Sequence, residues 1–242
     1  MLFLLGETIR KNQLPAGSRP CVFCGDDQKF LQVTEDNYFT FFTIRLFRLG
    51  KVAGYYQCES CEFTYQNYES AEPAHVYWVK LVATYVLTGY GMANQRRIIQ
   101  EIGKKVSSVG FPSKEIDEIS VRLEDDVFEL LRDAAVSLND KGKLKIVETA
   151  FLGTYICCEI QYEDRLRINL IGNALGVPLE FVEYAISEVR RQNYYGVHRL
   201  LSLFLSSAAS PSADCLASKI TLAFSIEPVS YTHLTLPTTP YV

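Results

Sequence analysis

The chain has no basic surplus: 24 lysines and arginines stand against 28 aspartates and glutamates, for a formal net charge of −4. A mildly acidic balance exerts no long-range pull on phosphate backbones or anionic lipid, so charge alone favours neither nucleic acid nor membrane. Seven cysteines are an odd number, and six of them fall in close pairs, which is not a disulfide framework. The apolar start Met1-Leu2-Phe3-Leu4-Leu5-Gly6 has no basic flank and no small-residue cleavage site. No secretory signal is therefore expected, and reduced thiols in the cytoplasm are. The longest greasy stretch, residues 76–92, carries Lys80 and falls short of a membrane span; a buried core helix is the expectation. Residues 200–209 form a shorter apolar run, read as a helix packed on the domain. No internal repeat or low-complexity tract is evident.

What the chain does have is two Cys-x-x-Cys pairs, Cys21-Val22-Phe23-Cys24 and Cys58-Glu59-Ser60-Cys61. Four thiolates in two short knuckles can close a tetrahedral shell around one zinc ion. A shell filled by four sulfurs leaves no open position for water or substrate, so the motif argues against metal catalysis while predicting a metal. Gly25 can take the positive φ such a knuckle needs; the second knuckle has Glu62 in the same place. Thirty-three residues separate Cys24 from Cys58, room for a three-stranded sheet to carry one pair back to the other. Rubredoxin-type iron, an iron–sulfur centre and unliganded cysteines are the alternatives. A redox dithiol is disfavoured, because neither pair sits at a strand-to-helix turn in a βαβ pattern.

With 242 residues, 48% of them hydrophobic, one or two cored domains are expected. The fold class predicted is α+β: a small three- to four-stranded antiparallel zinc ribbon over residues 1–66, a polar linker at 67–73, and an all-α bundle over 74–210. Strands are expected at 2–9, 30–34, 38–46 and 54–57, with Leu49-Gly50-Lys51 as a turn. After Pro73 the hydrophobic period changes from two to about 3.6. Helices are then expected at 74–88, 93–106, 116–123, 127–138, 144–159, 163–175 and 179–191, with a weak one near Leu200. Helix 144–159 is apolar nearly all round and should lie at the centre of the bundle. Gly176 is placed to end a helix in the left-handed conformation, and Pro178 to start the next. Residues 211–228 carry no clear signal. From Val229 to Thr238 the run Val-Ser-Tyr-Thr-His-Leu-Thr-Leu-Pro-Thr reads like a translated sequencing adapter, so residues 229–242 are set aside as a non-native tail and His233 carries no meaning.

The remaining reactive residues point to structure rather than chemistry. His75, in the first turn after Pro73, is expected on the surface, since four cysteines already fill a shell. His198 has no base arrangement near it, and Cys157 and Cys158 read as buried small hydrophobes. Glu124-Asp125-Asp126 is an acidic run at a helix start, where the dipole favours it. Over residues 1–69 seven lysines and arginines face eight acids, which weakens a nucleic-acid reading of the aromatic-rich ribbon. Protein is the expected partner class.

The cysteine pairs, together with Tyr38-Phe39-Thr40-Phe41-Phe42, Leu46-Phe47-Arg48-Leu49-Gly50 and Gly54-Tyr55-Tyr56-Gln57-Cys58, resemble the N-terminal zinc-ribbon domain of small bacterial proteins of unknown function. The resemblance covers about a quarter of the chain. It implies a structural zinc held by Cys21, Cys24, Cys58 and Cys61 and a surface for macromolecular contact. The helical half resembles the TerB-like domains of tellurite-resistance and stress-associated proteins through Asp140-Lys141-Gly142-Lys143, Ala150-Phe151-Leu152, Glu159, Glu163-Asp164 and Leu175-Gly176-Val177. A TerB-type metal site would draw on Glu159, Glu163 and Asp164, but where such families show an Asp-Gly pair Ile160-Gln161 stands here, so solvated acids at a helix start are the expectation and a second metal the alternative.

Overall fold

The computed structural model of the protein describes residues 5–41, 44–92, 95–123 and 126–197. Within them, strands β1 (Leu5–Pro20), β2 (Asp27–Phe41), β3 (Ile44–Cys58) and β4 (Thr64–Tyr65) form one antiparallel sheet in that order. Seven α-helices follow: α1 (Ala74–Gly89), α2 (Arg96–Ser107), α3 (Ser113–Arg122), α4 (Val127–Ala135), α5 (Asp140–Cys157), α6 (Tyr162–Ala174) and α7 (Leu179–Arg191). The architecture is α+β, and the helical period places all seven helices within a few residues of their observed bounds. The helix expected near Leu200, His198, residues 211–228 and the tail 229–242 lie outside the described residues, as do Glu124 and Asp125.

The strands depart from expectation: β1 runs to Pro20 rather than ending near residue 9, residues 30–34 and 38–41 share the single strand β2, and β4 has no counterpart among the expected strands. The aromatic stretch 38–46 is not one strand: Phe41 faces Ile44 across the β2–β3 pairing, so the chain reverses between them. Nor is Leu49-Gly50-Lys51 a turn, since Gly50 and Lys51 lie in β3 opposite Asn37 and Asp36. The β2–β3 pairing also carries a series of bulges. The register steps between Glu35 and Asp36, Asn37 and Tyr38, and Phe39 and Thr40, which leaves Val52, Leu49 and Leu46 as the extra residues of β3. Each bulge resets the alternation that a period-two reading relies on and adds coil to the sheet.

Helix α5 lies at the centre, packed on α1, α2, α6 and α7, with Ile146, Val147, Ala150 and Leu152 fully buried. Lys80 in α1 is also buried, and its Nζ meets Glu115 at 2.6 Å and Glu72 at 3.5 Å. The residue that interrupts the greasy stretch is thus one partner of an ion pair joining α1 to α3. Among the described residues no helix is long and apolar enough to cross a membrane.

The base of the sheet is tied to the helices by directed bonds. The Gly54 N–H donates to the Val136 carbonyl at 3.0 Å, and the Thr64 hydroxyl to that of Ser137 at 3.1 Å. Beyond the base, β1, β2 and β3 continue as an exposed arm with two unlike faces. One face carries Leu5, Ile9, Phe39, Ile44 and Phe47, the two phenylalanines stacked with ring centroids 5.0 Å apart. The other carries Thr8, Arg10, Asp36, Tyr38, Arg45, Arg48 and Lys51, with Arg48 paired to Asp36 at 2.6 Å.

Candidate metal centre

Strand β1 delivers Cys21 at its end, β3 ends on Cys58, and the knuckle after each supplies the second thiol, Cys24 and Cys61. Both knuckles close in the same way. Gly25 N–H donates to the Cys21 carbonyl at 2.9 Å and Glu62 N–H to that of Cys58 at 3.0 Å. Gly25 has φ +78° and Glu62 φ +61°, so both knuckles turn through the left-handed region, glycine without steric cost and glutamate with it.

Pairing Phe30 with Cys58 brings the knuckles face to face, and the four Sγ atoms lie within 4.8 Å of one another. Cys21 Sγ is 3.6 Å from Cys61 Sγ, and Cys24 Sγ is 3.9 Å from Cys58 Sγ. A tetrahedron with zinc–sulfur bonds of about 2.3 Å has edges of about 3.8 Å. The donor set therefore fits zinc in number, chemistry and spacing. Zinc bound there would have its charge balanced by the four thiolates and would hold the two knuckles as a staple.

The surroundings set unequal thiol acidities. Burial acts to raise Cys21, but hydrogen bonds from the Tyr65 hydroxyl, 3.3 Å away, and from the Cys24 and Phe23 amides outweigh it and bring the thiol down to about 6. Burial pushes Cys58 and Cys61 up, and their sulfur neighbours add to this at Cys61. Thiols that would stay protonated on their own are the ones a cation must deprotonate on binding.

Several residues around the site carry no cysteine-like signal in the sequence. The Arg19 guanidinium lies over Phe30 at 4.2 Å, Tyr65 at 4.3 Å and Tyr68 at 5.4 Å, and its Nη1 donates to the Ser70 carbonyl at 2.8 Å. It places a fixed positive charge one ring away from a thiolate cluster. From α5, Lys141 Nζ reaches the Cys61 carbonyl and the Asn139 amide that of Glu62, both at 2.8 Å. Asn139 also caps α5 by accepting from the Gly142 N–H at 3.0 Å, so one side chain starts the helix and grips the knuckle. The only cue to these residues is proximity in sequence for Arg19 and Tyr65; for Asn139 and Lys141 there is none.

His75 is not on the surface. Packing of α1 against the knuckles buries it fully, its ring stacked on Phe63 at 4.4 Å and 5.9 Å from Phe23. Burial, then the charges of Lys145 and Lys141, lowers its pKa to about 3, so it is neutral. Cys157 and Cys158 are half-buried rather than buried, with Cys157 Sγ 3.3 Å from Met92 Sδ. They line an open groove of roughly 510 Å³ with Tyr155, Arg165, Arg190 and Tyr194.

Glu159, Glu163 and Asp164 do not converge. Glu159 and Glu163 are exposed, whereas Asp164 turns inward to accept from the Tyr90 hydroxyl and from the Gln161 N–H at the start of α6. Among the described residues the cysteine set is the one group of three or more candidate ligands close enough to hold an ion. Asp126 is an N-cap, accepting from the Phe128 N–H at 2.9 Å.

No curated protein and no solved structure matches the chain. Residues 20–105 match the model of a zinc-ribbon family, a span that takes in both cysteine knuckles and runs on through α1 into α2.

Proposed function

We propose that the protein is a non-catalytic, cytoplasmic zinc-binding protein in which a ribbon and a TerB-like helical module mediate contact with another protein, in a stress-associated setting. The observation that carries this reading is the pairing of a closed four-thiol site at the base of the ribbon with an apolar arm face beyond it. Ile44 is 64% exposed and Phe47 55%, so the face buries little within its own chain. Zinc would fix the base while the arm makes the contact. The test is X-ray absorption on reduced protein, expected to give one zinc per chain with sulfur-only ligation near about 2.3 Å. It is combined with capture of a host protein partner by wild type and by Phe47→Ala. Loss of capture with zinc retained supports the reading; nitrogen ligation or undiminished capture contradicts it.

A second reading is favoured by the opposite face of the arm, where Arg10, Arg45, Arg48 and Lys51 surround Tyr38 with Asp36 as the opposing acid. Such a stripe suits a nucleic-acid backbone. Tight, salt-sensitive binding of nucleic acid with no protein partner would put this reading first.

A further inference from the structure

The outer edge of β1 has no strand beside it among the described residues: β1 pairs with β2 alone. An open edge offers unpaired backbone donors and acceptors to any strand that can reach it, and proteins usually blunt such edges. Here proline and the register break are confined to one half. Pro15 and Pro20 lack an N–H, and the register breaks between Pro15 and Ser18. From Leu5 to Leu14 there is neither proline nor bulge, and Leu5 is 61% and Ile9 57% exposed. The bonds to the helices described above are made by β3, β4 and the second knuckle, across the sheet from this edge.

We infer that this half of β1 pairs antiparallel with the same half of a second copy, about a two-fold axis through Ile9. Two identical edges joined in one sheet are related by an axis perpendicular to it, which keeps each face on its own side. Residues directly opposite must then share a face. Lys11 lies on the apolar face of the arm, over the Tyr55 ring and bonded to Gln57, and so does Glu7, which accepts from Asn37. Arg10 lies on the other face, opposite Asp36.

Charge then selects the register. Glu7 is the one acid in β1. With the axis at Ile9, Glu7 faces Lys11 of the second copy twice over, Thr8 faces Arg10, and Leu5 faces Gln13 just short of Pro15. Moving the axis one residue toward Arg10 sets Arg10 against Arg10, and moving it to Lys11 sets Lys11 against Lys11. Moving it to Thr8 leaves Glu7 opposite Ile9 and unpaired. Cross-strand ion pairs favour the first arrangement; like charges oppose those centred on Arg10 and Lys11, and the one centred on Thr8 forms no ion pair. The pairing also joins the two apolar arm faces into one continuous surface, so the partner that fits is a copy of this chain.

The inference rests on reading the arm as a contact surface. Sedimentation equilibrium of the full chain, from micromolar to sub-millimolar concentration, tests it, with zinc content and circular dichroism confirming that each variant is folded. Wild type is expected to associate reversibly to a dimer. Glu7→Lys and Lys11→Glu, each alone, should weaken association by about tenfold or more, because both cross-pairs become repulsive. An equimolar mixture of the two variants should recover it as a heterodimer, since each lysine then faces a glutamate. A monomer at every concentration, single variants that associate like wild type, or a mixture no tighter than its components would each overturn the inference. A monomer that still captures a host protein through Phe47 overturns it while leaving the proposed function standing; a dimer that captures none does the reverse.

Discussion

Through the helices a continuous set of buried side chains runs from Val79 to Val197, whereas the ribbon buries two small sets, Cys21, Phe30, Cys58 and Tyr65 at its base and Val33, Ala53 and Tyr55 in mid-sheet. The first region can draw its stability from apolar burial; the second has too little core for that and depends on the staple and on its bonds to α5. The same contrast separates the base of the ribbon from its arm, where the strands are held by pairing, the Phe39–Phe47 stack and the Arg48–Asp36 ion pair while Ile44 and Phe47 stand exposed. Strand length in this protein says little about where its stability resides.

The comparison breaks most visibly if the staple is cut. Cys58→Ser removes one of the four ligands of a site whose zinc as a whole contributes on the order of 10 kcal/mol to folding of the ribbon. Hydrogen exchange should show residues 5–66 losing protection while α5 and α7 keep theirs; simultaneous loss of both regions would mean that they fold as one unit. The converse change is Leu152→Ala, at a fully buried position of α5. It should cost the helices about 2–5 kcal/mol in denaturant titration and leave zinc stoichiometry unchanged.

His75 sits at the seam and makes the comparison depend on pH. Its folded pKa of about 3 lies below the ordinary value, so as pH falls through the range between them the unfolded chain takes up the proton first. That part of the stability is present near neutrality and is lost on acidification. At pH 5 the wild type should have lost about 2 kcal/mol that His75→Phe retains, read from denaturation of both proteins at pH 7 and pH 5. An equal loss in the two would show that the ring is protonated in the folded state. The smallest effect belongs to the knuckle turns: Gly25→Ala should cost about 1 kcal/mol, seen as weaker zinc retention against a chelator, and Glu62→Gly should move by a similar amount in the other direction.

These residues also mark the limit of what the sequence reveals. Cysteine spacing identifies the four thiols because metal ligation is a local constraint, and the helical period identifies α1 to α7 because each has one buried face or is buried all round. Gly176, at φ +68°, ends α6 as its sequence position suggests. The β2–β3 reversal escapes because no glycine, proline or asparagine marks it, while Gly50 draws attention to a place where the strand continues, paired with Asn37 between two bulges. Burial of His75 and the grip of Asn139 on Glu62 are tertiary, settled by how α1 and α5 approach the knuckles. Glu148, buried in α5 and held by Lys145 at 2.9 Å and Tyr195 at 2.8 Å, is invisible for the same reason.

The three bulges of β3 bear on how this chain tolerates change in its gene. Between Ile44 and Ala53 the strand uses ten residues to pass the seven of β2 from Phe41 back to Glu35, so three of its residues pair with nothing. Loss of a codon at Leu46, Leu49 or Val52 can be absorbed by erasing one bulge, with Cys58 still opposite Phe30 and the thiol cluster still assembled. The arm can therefore drift in length and in the hydrophobic pattern it presents while the metal centre stays in register, and variation in what the arm contacts need not come at the expense of what holds it in place.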